Sequence, residues 1–186
     1  ASIAAPRRSK ATVAGTIETR PGRAPIGALT APSPEAELAG FIAKYAPEIE
    51  PRVCPILDAM RARLPGAIEL VYDNYQFLAI GYAPGERTSE AIFSIAVAPT
   101  KVNLCFLQNG AALADPEGLL RGGGAQVRNI ILDDAATLDR PAVQALMAEA
   151  LATAKVPLDP KTPYRLIIKS ISAKQRPRRP KGEELG

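Results

Sequence analysis

The sequence predicts an α+β domain, an antiparallel β-sheet of about five strands with helices packed on one face. Three observations lead there. Apolar residues recur at helical spacing over residues 34–64 and again after residue 140. Between these stretches the apolar period shifts to two. The links between the first four extended segments are too short for parallel crossovers, so those strands should form an antiparallel meander.

Order is expected to begin at Ser33-Pro34-Glu35. Serine is a good N-cap, proline suits the first helical position, and an acid favours the positive end of the helix dipole. Leu38, Phe41, Ile42 and Tyr45 then follow the helical period. A second helix follows Pro47, with Ile49, Val53, Ile56, Leu57, Met60 and Leu64 on one face. Pro51 fits its first turn, whereas Pro55 removes an interior donor and predicts a late start or a kink. Pro65-Gly66 ends it.

Residues 68–72 and 75–82 read as strands joined by a tight turn at Asp73-Asn74. Residues 91–97 and 102–107 read as a third and a fourth strand. Residues 108–126 are loop-like and rich in glycine, and 127–132 form a fifth strand. Asp139-Arg140-Pro141 opens the last helix, with Val143, Leu146, Met147, Ala150 and Leu151 on its apolar face. Residues 164–171 are a candidate short terminal strand.

The predicted organisation is a disordered basic arm over 1–33, a domain over 34–171 and a disordered basic tail over 172–186. Both flanks are polar and broken by proline, too poor in apolar residues to offset the entropy of ordering. Charge divides the same way. Residues 1–34 hold five basic residues and one acid, and residues 169–186 hold six and two. The segment between has 12 basic and 16 acidic residues, so it is net −4 within a chain of net +4. No apolar run approaches the roughly 20 residues of a membrane span. Cys54 and Cys105 sit in apolar stretches and read as small buried hydrophobes, which fits a reducing cytoplasm.

Histidine is absent. That removes Ser-His-Asp and Cys-His mechanisms, histidine-bearing zinc sites and the usual base near neutral pH. No spacing marks a carboxylate, lysine or tyrosine mechanism in its place, and the expectation is a non-enzymatic binding domain. Tyr72, Tyr75, Phe77 and Tyr82 cluster on two consecutive strands, for which core packing is the simpler reading; as a half-open pocket, the ligand candidates are Tyr72, Tyr75 and Phe77, with Lys101, Arg121 and Arg128 as anion contacts. The Arg121-Gly122-Gly123-Gly124 stretch could turn backbone donors toward an anion, but lacks the ending of a nucleotide P-loop. A plain turn is the simpler reading. Glu48, Glu50 and Asp58 could hold a hard cation, although Arg52, Arg61 and Arg63 interleave with them as on a solvated face. Lys174, Arg176, Arg178, Arg179 and Lys181 form a basic cluster suited to weak, salt-sensitive nucleic-acid contact. No aromatic is interleaved to stack on bases.

Two segments resemble a known family. The run Ala67-Ile68-Glu69-Leu70-Val71-Tyr72, with Tyr75, Phe77 and Gly81, is similar to the YdhG-like family, a domain of unknown function. So is Asn109-Gly110-Ala111 followed by Leu113, Asp115-Pro116 and Gly118-Leu119-Leu120, then Gly122 and Gly124. The resemblance spans about residues 35–153 and is most specific at Asp115 to Leu120. It implies an antiparallel α+β fold often compared with frataxin, and an iron-chaperone role for some members. Many members place Lys and His where this chain has Ala125 and Asn129, so no role of those two side chains carries over. The expectation is a cytoplasmic module for a small ligand or protein partner, without cofactor. Iron binding and nucleic-acid association through the arms stand as alternatives.

Overall fold

The computed structural model describes residues 31–180. The expected arm over 1–33 lies outside the described residues except for its last three, as do residues 181–186. Helix α1 (Pro34–Ile42) starts where its capping signals place it, with the Ser33 hydroxyl accepting from the Ala36 amide at 3.2 Å. Past its end, the buried Tyr45 hydroxyl donates to the Val97 carbonyl at 2.7 Å and accepts from the Leu78 amide at 2.9 Å. That pins the chain after α1 to the sheet. Helix α2 (Glu50–Arg63) runs through Pro55 rather than starting after it. The lost donor falls early in the helix, where it removes a single backbone bond. Val53, Ile56, Leu57 and Met60 bury the expected face.

The strands are β1 (Ile68–Asp73), β2 (Leu78–Ala83), β3 (Phe93–Val97), β4 (Val102–Phe106), β5 (Arg128–Leu132) and β6 (Arg165–Ile171). Their order is β5-β4-β3-β2-β1-β6. The first five are antiparallel, the first four as their short connections required and β5 on β4 across the long 107–127 link. The sheet as a whole is mixed and six-stranded, because β6 pairs parallel with β1. This corrects the purely antiparallel expectation, while the candidate strand over 164–171 is present as β6. Helix α3 (Pro141–Ala152) lies between β5 and β6 and reverses the chain once more. A strand that follows a helix in this way runs in the direction of the strand before it. β5 shares its direction with β1, so β6 does too.

All three helices bury side chains in one core, against Val71, Ile80, Ile95, Leu104 and other residues from one face of the sheet. The opposite face carries a smaller cluster of Ile68, Leu70, Ala83 and Ala91. Alternation along β1 therefore turns Glu69, Val71 and Asp73 toward the helices.

The described part of the tail is packed, not disordered. Arg178 is buried and meets Asp73 at 2.8 Å. The Arg176 amide donates to the Tyr75 carbonyl at 2.8 Å, and the Ser172 amide to the Asp73 carbonyl at 2.9 Å. The composition argument fails here because the anchor is ionic, not apolar. Tyr75 and Phe77 were expected within a strand but lie in the β1–β2 connection, 48% and 36% exposed. The connection is longer than a two-residue turn, closed by the Asn74 amide on the Phe77 carbonyl at 3.1 Å.

Candidate functional site

The best-formed pocket lies beside the start of β1. It has a volume of about 340 Å³. The Leu64–Ala67 turn forms one wall, Glu35 and Arg61 another, and Glu69, Tyr82 and Tyr164 contribute the polar surface. Gly66 makes the turn possible. Its φ is +82°, and a Cβ there would overlap the Asp159 carbonyl. This close approach seats the 159–164 segment, and with it Tyr164, against the pocket.

Glu69 is the centre of the polar surface and is only 1% exposed. Arg61 from α2 grips it with two bonds, Nε to Oε1 and Nη2 to Oε2, each 2.9 Å. The Tyr164 hydroxyl donates to Oε2 at 3.0 Å. The Arg61 guanidinium also lies 5.6 Å from the Tyr164 ring centroid and reaches Asp58 through Nη1 at 3.1 Å. Three of its five N–H groups are thus taken by protein carboxylates. Register pairing sets Tyr82 directly opposite Glu69. Tyr82 is 1% exposed, and its buried hydroxyl lies against the Glu69 carboxylate.

The local field keeps the phenols neutral. Burial raises the Tyr82 pKa well above the ordinary tyrosine value, and the Glu69 charge adds to the rise. Burial, with Glu69 next, pushes Tyr164 up to about 12. Burial pushes Cys105 up to about 11, and burial with the Glu50 and Asp58 charges raises Cys54. The site can bind through hydroxyls, a carboxylate and an aromatic face. These phenols and thiols are held away from the ionised, nucleophilic form.

The residues singled out from sequence scatter. Lys101 precedes β4 at one end, while Arg128 pairs with Phe106 at the other, about 17 Å away along a five-residue strand. No pocket joining Tyr75, Lys101 and Arg128 can form across that distance. Tyr72 is on the face away from the helices and bonds Thr88. The Arg128 guanidinium holds the glycine loop through the Gly124 carbonyl and, at 2.9 Å, the Val127 carbonyl. Arg121 pairs its backbone with Asn129. The loop is therefore a braced turn.

Glu50 and Asp58 are eight residues apart on α2, about 12 Å, too far to share one ion. Glu48 precedes that helix. Among the described residues, no group of three acidic or cysteine side chains could hold a metal. Cys54 is exposed, contrary to expectation. In the tail, Arg176 lies over the Tyr75 ring at 5.5 Å and Arg179 donates to the Tyr45 carbonyl at 3.2 Å. Arg178 is buried and pairs with Asp73 through Nη2, Lys174 is exposed, and Lys181 lies outside the described residues.

Sequence reading missed Arg61, Glu69, Tyr82 and Tyr164 as a group. One signal was available, an acid at position 69 flanked by Ile68 and Leu70 in an apolar strand. The Asp115 segment has a structural explanation, since its carboxylate accepts from the Leu119 and Leu120 amides at 2.9 and 2.7 Å. Among the described residues, no helix is long and apolar enough to cross a membrane. No family model, curated protein or solved structure matches the chain.

Proposed function

We propose that this chain is a YdhG-like, non-enzymatic binding domain that holds a small ligand in the pocket between Glu35, Arg61, Tyr82 and Tyr164. One observation carries the reading. A pocket of about 340 Å³ brings Glu35, Arg61, Glu69 and Tyr164 together beside Leu64, Pro65 and Ala67. That volume is at the lower end for a small-molecule site, and the wall is apolar with a few polar groups, as such sites are. A binding role is further supported by the absence of histidine and by phenols and thiols shifted toward their protonated forms. Two free cysteines fit a reducing cytoplasm.

A thermal-shift screen of small metabolites on the full chain, with hits mapped by amide chemical shifts, tests this. Ligand-induced shifts should centre on residues 61–69, 82 and 164. Hits that map instead to the opposite sheet face, or a robust turnover that pocket variants abolish, overturn the reading.

A further inference from the structure

We infer that the end of the sheet where the packed tail crosses the β1–β2 turn is a binding surface for single-stranded nucleic acid. It lies at the far end of β1 from the pocket, about 17 Å along a six-residue strand, and does not depend on the pocket's role. The sequence keeps apart the two chemistries such a surface needs. The basic cluster over 174–181 contains no aromatic, and Tyr75 and Phe77 lie far upstream. The fold joins them. The Arg176 amide donates to the Tyr75 carbonyl at 2.8 Å, and its guanidinium lies 5.5 Å from the Tyr75 ring centroid. Gln175 and Arg178 fasten the same segment to Asp73 and Asn74. Tyr75 and Phe77 are both exposed, on a turn closed by the Asn74 amide on the Phe77 carbonyl. Two rings are therefore displayed beside the tail instead of packed.

The charge here calls for an anion. Lys44, the 73–77 turn and the 172–180 tail together hold five cations and one acid, Asp73. Asp73 is buried and already paired with Lys44 and Arg178. Lys174, Arg176 and Arg179 are exposed and make no ion pair among the described residues. Residues 35–168 are net −4, so the tail sets a positive surface on an acidic body. An open strand uses both kinds of group. Its phosphates take the lysine and arginine charges, and its bases stack on rings whatever their identity. The planar Arg176 guanidinium widens the stacking surface that Tyr75 begins. An acidic peptide would engage the cations and leave the rings unused, and a duplex keeps its base faces inside the stack.

Fluorescence anisotropy on the full chain at about 50 mM salt tests this with a labelled oligo-dT of about twelve nucleotides. A duplex and an abasic strand of the same length, and poly-glutamate, are the comparisons. Oligo-dT should bind more tightly than all three. Tyr75→Ala and Phe77→Ala should each weaken it at least about fivefold, the low end of the worth of one stacked base. Lys174→Gln and Arg176→Gln should each flatten the log–log salt dependence by about 0.7, whereas Tyr75→Ala should leave that slope unchanged. Amide shifts on titration should centre on residues 74–77 and 174–179. All four side chains are exposed, so the variants should keep the parent's fold. Absence of binding at this salt overturns the inference. Equal binding of the duplex, the abasic strand or poly-glutamate also overturns it, because the rings are then unused. Binding undiminished by Tyr75→Ala and Phe77→Ala places the contact on other basic residues of the chain and overturns it as well.

Discussion

Glu69 and Asp73 stand four residues apart on β1, face the same helical layer and are equally hidden, at 1% and 0% exposure. Their surroundings differ. Glu69 is held by Arg61, whose side chain is 33% exposed, and by Tyr164 at the rim of an open pocket. Asp73 is closed in from both sides, by Lys44 at 2.5 Å and by Arg178, whose side chain is 3% exposed. The tail adds Gln175 on the Asp73 carbonyl at 3.3 Å, and the Arg178 guanidinium lies 5.5 Å from the Tyr45 ring centroid. One end of the strand is sealed by the chain's own C-terminal segment. The other is left accessible. A buried carboxylate can serve either as a structural anchor or as part of a receptive surface, and the choice depends on whether its cation is buried with it.

The largest expected effect separates the two ends. Asp73→Ala strands a buried guanidinium and should cost about 3–5 kcal/mol in urea unfolding. A loss as small as that of the equivalent Glu69 variant would erase the distinction. Next comes Arg178→Met, expected to cost about 2–3 kcal/mol for a charge-assisted bond. It should speed amide exchange at residues 172–176 while leaving the Tyr164 environment unchanged. If exchange there stays at the parent rate, the seal is made by other contacts.

Glu69→Gln should cost less, about 1–2 kcal/mol, since Arg61 can turn to water. Gly66→Ala should cost a similar amount through its positive φ and the overlap with Asp159, and should shift Tyr164 resonances. Unmoved Tyr164 resonances would show that the turn does not seat it.

The smallest effect is in alkali. Tyr164 titrates at about 12 in the fold and near 10 when unfolded. Between those values the unfolded chain has released a proton that the native chain keeps. Stability should therefore fall as pH rises from about 10 to 12, having been fully present below 10. Tyr164→Phe should shallow that decline, and an unchanged slope would detach Tyr164 from the Glu69 cluster.

Much of the fold was legible. Ser33 and Pro141 marked two helix starts because capping and proline geometry are local. The β1 to β4 meander followed from short links. The direction of β6 was not legible from those links, because it depends on a helix crossing from one sheet edge to the other. The candidate site was almost wholly hidden. Arg61 read as part of a solvated face, and only its pairing with Glu69 across eight residues gives it a role. The helices cover the β1 face that carries Glu69, Val71 and Asp73, while Ile68 and Leu70 lie in the smaller cluster behind the sheet.

By itself the sequence determined where helices begin, which segments extend and how neighbouring strands turn back, since those outcomes are set within a few residues by backbone sterics, capping and apolar period. Tertiary structure decided which face of β1 is covered, where β6 enters, and what becomes of each charge. Those depend on which distant groups arrive together. Desolvation makes an acid at position 69 or 73 acceptable only after Arg61, Lys44 or Arg178 has come within bonding distance.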